Sequence, residues 1–341
     1  MTEICVRASK TYNVFVGDVI EKLEYLPKDR KYALVCDSNA YAFHGKNIKA
    51  ILSGHNTAFY IFPSGEKHKN INEYYKIINF LAENSFGRGD CIIGFGGGVT
   101  GDIAGFAAAT YMRGIDYIAL PTTLLSMTDS SVGGKTAINI PAGKNLLGAF
   151  YQPSAVFCHV PFLRTLPENI FSDGMSEVIK YGVIRDRYLF YNLKNGFSDP
   201  ENIISRCVEI KRDTVEKDEN DKGERMILNF GHTAAHAIEK LSNNEISHGS
   251  AVAMGMVIAS EYAEKAGICP IGTANTVKSA LEKHGHRNKC PFSPDALFSA
   301  AVHDKKVCGD KINVVLPVEI GNCCIKQIPL SELIEFFGEK V

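Results

Sequence analysis

No apolar run in this 341-residue chain is long enough to cross a bilayer; the longest, "AVAMGMVIAS", ends at Glu261. Like charges are not gathered into blocks either. With 37 Lys and Arg against 38 Asp and Glu, the formal net charge is −1, and the concentrated basic field on which nucleic-acid and membrane-surface binding rests is missing. Any anion site must therefore be local. The ten cysteines contain no C-x-x-C pair, and most sit in apolar runs such as "ALVCD" and "DCIIGF", where a reduced thiol behaves as a small core residue. "MTEICVRASK" carries no secretory pattern, so a soluble protein of a reducing cytoplasm is expected. One further absence removes a tempting motif. Gly133-Gly134-Lys135-Thr136 looks like the end of a nucleotide-triphosphate loop, but that loop needs a glycine five residues before its Gly-Lys pair, and position 129 is Asp.

What is present is an ordinary globular composition with material for two domains. In the first half, short β-type runs alternate with helical patterns. "KYALVCD" leads into "AYAFHGKNIKAIL", "TAFYIF" into "INEYYKIINFLAEN", "DCIIGF" into "IAGFAAATYM", and "YIALP" into "TTLLSM". Such alternation predicts a parallel sheet with helices on its faces, and ligands beyond the carboxyl ends of the strands. From about Pro161 the segments "MSEVIKYGVI", "ENIISRCVEIKRDTVEKD", "HTAAHAIEKL", "GSAVAMGMVIASEYAEKAG" and "GTANTVKSALEKHG" place apolar residues three and four apart and read as helices. "KINVVLPVEIGNCCIKQI" reads as two strands around a turn. The expected class is α/β, with a Rossmann-like parallel-sheet domain over 1–160 and a mainly α-helical domain over 161–341.

Three signals carry chemistry. In "FGGGVTGD", Gly96, Gly98 and Gly101 satisfy G-x-G-x-x-G between a strand and a helix, so the backbone can approach a pyrophosphate at the helix N-terminus; the bland alternative is a tight turn. Asp37, ending "ALVCD", is placed like a carboxylate that grips a ribose hydroxyl, or like a simple helix cap. Second, His232 and His236 stand four apart and would share a helix face, with His248 twelve residues further on beside a glycine. A lone histidine is usually structural, but three within seventeen residues favour a metal site, although the zinc-protease pattern fails because position 233 is Thr. Third, Arg113, Lys135, Lys144, Lys180, Lys211, Arg225, Lys305 and Lys306 include several in Gly-rich or apolar surroundings where an unpaired charge is costly, with Asn145 and Asn229 beside them. A small, highly anionic ligand answers that need.

Taken together, the segments "PSGEKHK", "GFGGGVTGDIAGFAAATYMRG", "PTTLLSMTDSSVGGKTAINIPAGKNLLGAFYQP", "TLPENIFSDGMSEVIKYGVI" and "LNFGHTAAHAIE", followed by "SHG", resemble the 3-dehydroquinate synthases of the sugar-phosphate cyclase superfamily. The likeness runs from about "VCDSN" to "INVVLP". It implies a metal, zinc or cobalt, on Glu177, His232 and His248. It implies NAD near Asp37, Asn39, Glu66, Lys69, Gly97, Gly98, Thr122 and Thr123, with Asp102, Lys135, Lys144, Asn145 and Thr165 contributing. The small anionic sugar-phosphate substrate would meet Arg113, Asp129, Lys135, Asn145, Lys180, Lys211, Arg225, Asn229, His236 and Lys305 or Lys306. A homodimer is also expected.

The implied chemistry makes sense of this mixture. In 3-deoxy-D-arabino-heptulosonate 7-phosphate the proton next to the phosphate-bearing carbon is barely acidic; transient oxidation at C5 changes that, and the hydride is later returned. Several positions depart from the commoner family pattern: Ser250 stands where Glu is more usual, Ala234-Ala235 where a bulky residue and Gly are frequent, Cys158 for a frequent Asp, and Ser176 for Ala. The rival readings are a cyclase acting on glucose 6-phosphate or sedoheptulose 7-phosphate, a metal- and NAD-dependent polyol dehydrogenase, and a non-catalytic relative. The first pair of substrates lacks the carboxylate that Lys135, Lys211 and Arg225 would meet; the polyol enzyme has no use for so many cations; the third would show a broken ligand set.

Overall fold

A computed structural model describes residues 1–193, 196–243, 245–286, 289–302, 307–308 and 310–338. Its strands are β1 (Thr2–Arg7), β2 (Thr11–Gly17), β3 (Lys31–Asp37), β4 (Asn56–Phe62), β5 (Cys91–Gly96), β6 (Asp116–Pro121), β7 (Lys135–Ile140), β8 (Gly143–Phe150), β9 (Ala155–His159), β10 (Val307–Cys308), β11 (Lys311–Glu319) and β12 (Asn322–Pro329). Its α-helices are α1 (Ser38–Ile51), α2 (Ile71–Glu83), α3 (Gly98–Thr110), α4 (Glu168–Arg185), α5 (Arg187–Asn192), α6 (Pro200–Lys217), α7 (His232–Leu241), α8 (His248–Lys265), α9 (Thr273–Lys283), α10 (Pro294–Ala301) and α11 (Leu333–Phe336). They form two compact units: residues 1–167 with 200–220, and residues 168–199 with the described part of 221–341.

The first unit is built on a seven-stranded sheet in the order β1-β2-β9-β6-β5-β3-β4, antiparallel between β1 and β2 and parallel elsewhere. β5 is buried at every residue and β3 at all but its ends, which is what strands covered on both faces require. From β3 the chain places β4 on one side, then crosses to place β5 and β6 on the other. That reversal opens a crevice at the carboxyl ends of β3 and β5, where Asp37 and Gly96 stand. Helix α3 lies close on β5 because its residues are small: a Cβ on Gly94 would come 3.1 Å from Ala104 Cβ. A separate hairpin, β7–β8, packs against α3.

Helix α6 belongs to this unit, which differs from the division expected at 160/161. Ile204, Cys207, Val208, Ile210 and Val215 make one buried face, and that face is spent on β1 and β2 rather than on the helices that follow it. "TTLLSM", expected as a helix, runs into a π-type turn over Ser126–Ser130.

In the second unit, α4 is buried from Gly174 to Ile184 and α8 is buried over most of its length, the pattern of core helices. α7 lies directly on α8 where two glycines meet; a Cβ on Gly255 would collide with the carbonyl oxygen of Gly231. The hairpin β11–β12, in register from Lys311↔Pro329 to Pro317↔Cys323 and shifted before Glu319↔Asn322, covers α8 and the short helical turn Glu224–Asn229. No helix of the described residues is long and apolar enough to cross a membrane.

Candidate functional site

The crevice of the first unit is lined largely by backbone. Gly97 caps α3 with no side-chain hydrogen bond, so the helix N-terminus is presented by glycines 97 and 98. Side chains fit badly here: a Cβ on Gly97 would stand 3.1 Å from Thr123 Cγ2, one on Gly98 3.2 Å from Ser130 Oγ, and one on Gly96 2.5 Å from Asp37 Oδ2. Thr122 N–H donates to Gly96 O (2.9 Å), joining the ends of β5 and β6, while Thr123 N–H donates to Ser126 Oγ. Asp37 performs the cap that its position suggested: Oδ1 accepts from the N–H groups of Asn39 and Ala40, and Oδ2 accepts from Thr100 Oγ1 at 2.9 Å. Thr165 lies at the edge of this unit with its hydroxyl 2.8 Å from His44 Nε2.

Beside the crevice the "GEKHK" turn supplies a buried cation. Lys69 Nζ stands 2.6 Å from Asp102 Oδ2 and 3.7 Å from Glu66 Oε1. Burial opposes its charge, but the two carboxylates outweigh that and hold the ammonium above the ordinary lysine range. Asn139 of β7 joins the cluster by donating to Glu66 Oε1 (2.7 Å), and its Oδ1 accepts from Asn145 N–H (2.9 Å). Asn145 is held in the left-handed region (φ 53°), as is Arg113 (φ 69°), a strained conformation for side-chain-bearing residues. Lys135 opens β7 and Lys144 lies near the start of β8. Asp129, where a phosphate loop would have had glycine, instead receives Lys211 of α6: Nζ donates to its carbonyl at 2.5 Å and to its carboxylate.

The second unit holds a different kind of cluster. Glu177, His232 and His248 each offer a ligand atom, all within 4.8 Å of one another. Glu177 projects from the middle of α4, whereas each histidine is the first residue of its helix, after Gly231 in a left-handed conformation and after Ser247, whose hydroxyl accepts from Ser250 N–H. Two helix N-termini thus face a carboxylate that is 1% exposed, a favourable field for a buried anion. His232 Nδ1 lies 3.1 Å from Phe230 O, so it carries the proton and leaves Nε2 toward Glu177 Oε1 at 3.6 Å. His248 Nε2 is 3.4 Å from the same oxygen, and its Nδ1 is 3.6 Å from Glu239 Oε2. Burial opposes charge on His248, but Glu177 and Glu239 overcome it and push its pKa up to about 10.

Lys180, also 1% exposed, pairs with Glu177 from the next turn of α4. Arg225 is fully buried on the turn that ends in Asn229. His236 has its ring 5.9 Å from that of His232 but lies outside the three-residue cluster, so the spacing that paired 232 with 236 located the helix face rather than the ligand set. Lys305 and Lys306 fall outside the described residues. Four residues with contacts in these clusters escaped sequence reasoning: Asn139, Asp173, Glu239 and Ser247. Two had readable signals. Ser247 before a helix is a cap signature, and Glu239 shares the face of His232 and His236 at i+7.

Comparisons with known proteins agree over nearly the whole chain. The profile described as 3-dehydroquinate synthase N-terminal matches residues 59–173, and the one described as 3-dehydroquinate synthase C-terminal matches 174–307. A 3-dehydroquinate synthase of Clostridium acetobutylicum is 42% identical over 96% of both chains, and one of Clostridium kluyveri is 43% identical over 96% of this chain and 95% of its own. Among solved structures, 2-deoxy-scyllo-inosose synthase complexed with carbaglucose-6-phosphate, NAD+ and Co2+ superposes with a TM-score of 0.87 at 26% identity, covering 98% of this chain and 99% of that one. The 2-epi-5-epi-valiolone synthase of Streptomyces hygroscopicus, with NAD+ and Zn2+ bound, shares the fold at a TM-score of 0.87 and 23% identity, covering 98% and 97%.

Proposed function

The chain belongs to the 3-dehydroquinate synthase family, and we propose that it converts 3-deoxy-D-arabino-heptulosonate 7-phosphate to 3-dehydroquinate and phosphate. The route is transient oxidation at C5, elimination of phosphate, re-reduction and intramolecular aldol closure, without net redox change. The observation that carries this reading is the cluster of buried Glu177 with His232 and His248, intact in a chain that matches its relatives over nearly all its length.

The donor set fits a divalent cation. Both Glu177 oxygens are buried without a hydrogen-bond partner of acceptable geometry, and two imidazoles and one carboxylate with room for further ligands are what a catalytic zinc or cobalt ion takes. The glycine cradle at 96–98, which any Cβ would crowd, fits a pyrophosphate, so NAD is assigned to Asp37, Asn39, Glu66, Lys69, Gly97, Gly98, Asp102, Thr122, Thr123 and Thr165, with Lys135, Lys144 and Asn145 contributing. When bound, the cation supplies Lewis acidity and NAD a hydride acceptor that is returned unchanged.

The chain's own residues do the rest. His236 takes the hydroxyl proton as general base and later gives it back. Lys135, Lys211, Arg225, Lys180 and Arg113 offset the carboxylate and phosphate charges, and Asn145, Asn229 and Asp129 hold hydroxyls. Burial of Arg225 and Lys180 makes their charge effective, because little water competes for it. We place the protein in the cytoplasm as a homodimer; the buried thiols Cys36, Cys91, Cys158 and Cys323 fit a reducing compartment.

Phosphate release from purified protein tests the reading, with the heptulosonate phosphate, trace NAD, and with or without a chelator. Release that needs metal and NAD with no NADH accumulating is expected. Release only from glucose 6-phosphate or sedoheptulose 7-phosphate would assign a different cyclase, and net NADH from a simple polyol a dehydrogenase.

A further inference from the structure

Helices α4 and α8 touch at more than the cation cluster. Asp173 and Glu177 are four residues apart on α4 and therefore share a face. Glu177 meets His248, the first residue of α8; Asp173 meets Ser247, the residue that caps the same helix. Ser247 Oγ donates to Asp173 Oδ1 at 2.5 Å, and Ser250 Oγ lies 2.9 Å from Ser247 Oγ. Because the single Ser247 proton goes to the carboxylate, the remaining hydrogen bonds, from Ser250 Oγ–H and from Ser250 N–H at 3.4 Å, run toward Ser247 Oγ. Between these residues the backbones are in close approach: a Cβ on Gly249 would stand 2.5 Å from Asp173 O and would overlap its Cα.

We infer that Asp173 and Ser247 are positioning residues for the cation cluster, clamping the N-terminus of α8 onto α4 so that His248 stays in reach of Glu177. A serine cap needs only a backbone N–H to satisfy it. Here it also engages a half-buried carboxylate from another helix, immediately before a histidine whose nitrogen must meet a metal within a few tenths of an ångström. Without the Asp173 bond, the cap still closes the first turn of α8, but His248 itself must then hold that turn to α4 through Glu177. The inference rests on the metal reading of Glu177, His232 and His248.

The experiment is cobalt titration of the full chain, followed by its visible ligand-field absorption, with circular dichroism and thermal melting on the same samples. Ser247→Ala is expected to weaken cobalt binding about 10- to 100-fold and to alter the absorption bands. Ser247→Thr, which retains the hydroxyl, restores both. Asp173→Ala, which removes the acceptor, behaves like Ser247→Ala and serves in its place if that variant does not fold. Wild-type affinity and spectrum in folded Ser247→Ala and Asp173→Ala, whatever happens to the melting temperature, would overturn the clamp. His232→Ala separates the two failures: if wild type binds cobalt and His232→Ala does not, only the clamp is at stake, whereas a wild type that binds no cobalt removes the metal reading and the clamp with it.

Discussion

The two functional regions are made in opposite ways. The crevice at the ends of β3 and β5 is shaped by backbone, with glycines at 96, 97 and 98 where side chains would collide. The cluster on α4, α7 and α8 is made of charged and ligating side chains, with Glu177 and Lys180 buried almost completely and His232 and His248 partly. A backbone site tolerates changes in charge but not in bulk. A side-chain site tolerates neither the loss of a ligand nor the loss of a partner, because a buried charge left alone has no water to turn to.

Substitutions can break or sharpen that contrast. The largest effect is expected at His232: replacing it with Ala removes one of the three proposed protein ligands, so bound metal, measured by elemental analysis, and phosphate release should fall to background together. Normal zinc and normal turnover would take His232 out of the site. Next comes Lys180→Ala, which leaves Glu177 buried without its ammonium and should cost about 3 kcal/mol in urea denaturation of the metal-depleted protein. A cost below about 1 kcal/mol would mean that the carboxylate is neutral or hydrated.

On the backbone side, Gly97→Ala places a methyl 3.1 Å from Thr123 at ordinary backbone angles. It should raise the KM for NAD several-fold while changing stability by no more than about 1 kcal/mol. Asp37→Asn divides two roles at one position. Asn caps helices as well as Asp does, so stability should stay within about 0.5 kcal/mol, and any rise in the NAD KM then reports a grip on the ribose rather than on α1. Unchanged NAD kinetics would leave Asp37 as a cap alone.

The smallest effect belongs to the amino end of β6, far along the strand from Thr122. Burial opposes ionisation of Asp116, but hydrogen bonds from Lys10, Arg30 and Ser154 outweigh it and hold the carboxyl well below its usual range. A depressed folded pKa contributes stability that is present above the unfolded value near 4 and is lost as pH falls toward the folded one. Asp116→Asn should therefore flatten the acid limb of a stability–pH curve and leave metal content and NAD KM unchanged. With its side chain 38% exposed, solvent screens much of the gain.

The same contrast decides what could be read from sequence. Alternating runs between 31 and 121 announced the parallel sheet, since β5 is apolar throughout and β3 between its charged ends, and each is followed by a helical period. The glycines after β5 were visible because only backbone demands explain three in a row. The cluster of Glu177, His232 and His248 was named through the resemblance as the candidate metal set; periodicity alone offered His232 with His236 and named no carboxylate. The hairpin β7–β8 went unread, because β8 is mostly exposed and is punctuated by glycines, so it has no apolar alternation. Asn139 and Asp173 went unread with it, being polar residues whose partners lie far away in sequence. Ser250, one of the departures from the family pattern, proves to be hydrogen-bonded to Ser247 at the start of α8.

The interleaving of the two units has a consequence for how the chain comes into being. Residues 200–220 complete the first unit, yet 168–199, which precede them, belong to the second. As the chain leaves the ribosome, β1 and β2 are made first and must wait some two hundred residues for the face of α6 that covers them. Meanwhile α4, with Glu177 already in place, waits for α7 and α8 to bring the histidines. Neither unit can finish before the other has begun, so a fragment cut at residue 160 holds all seven strands of the sheet but leaves β1 and β2 without the helix that covers them.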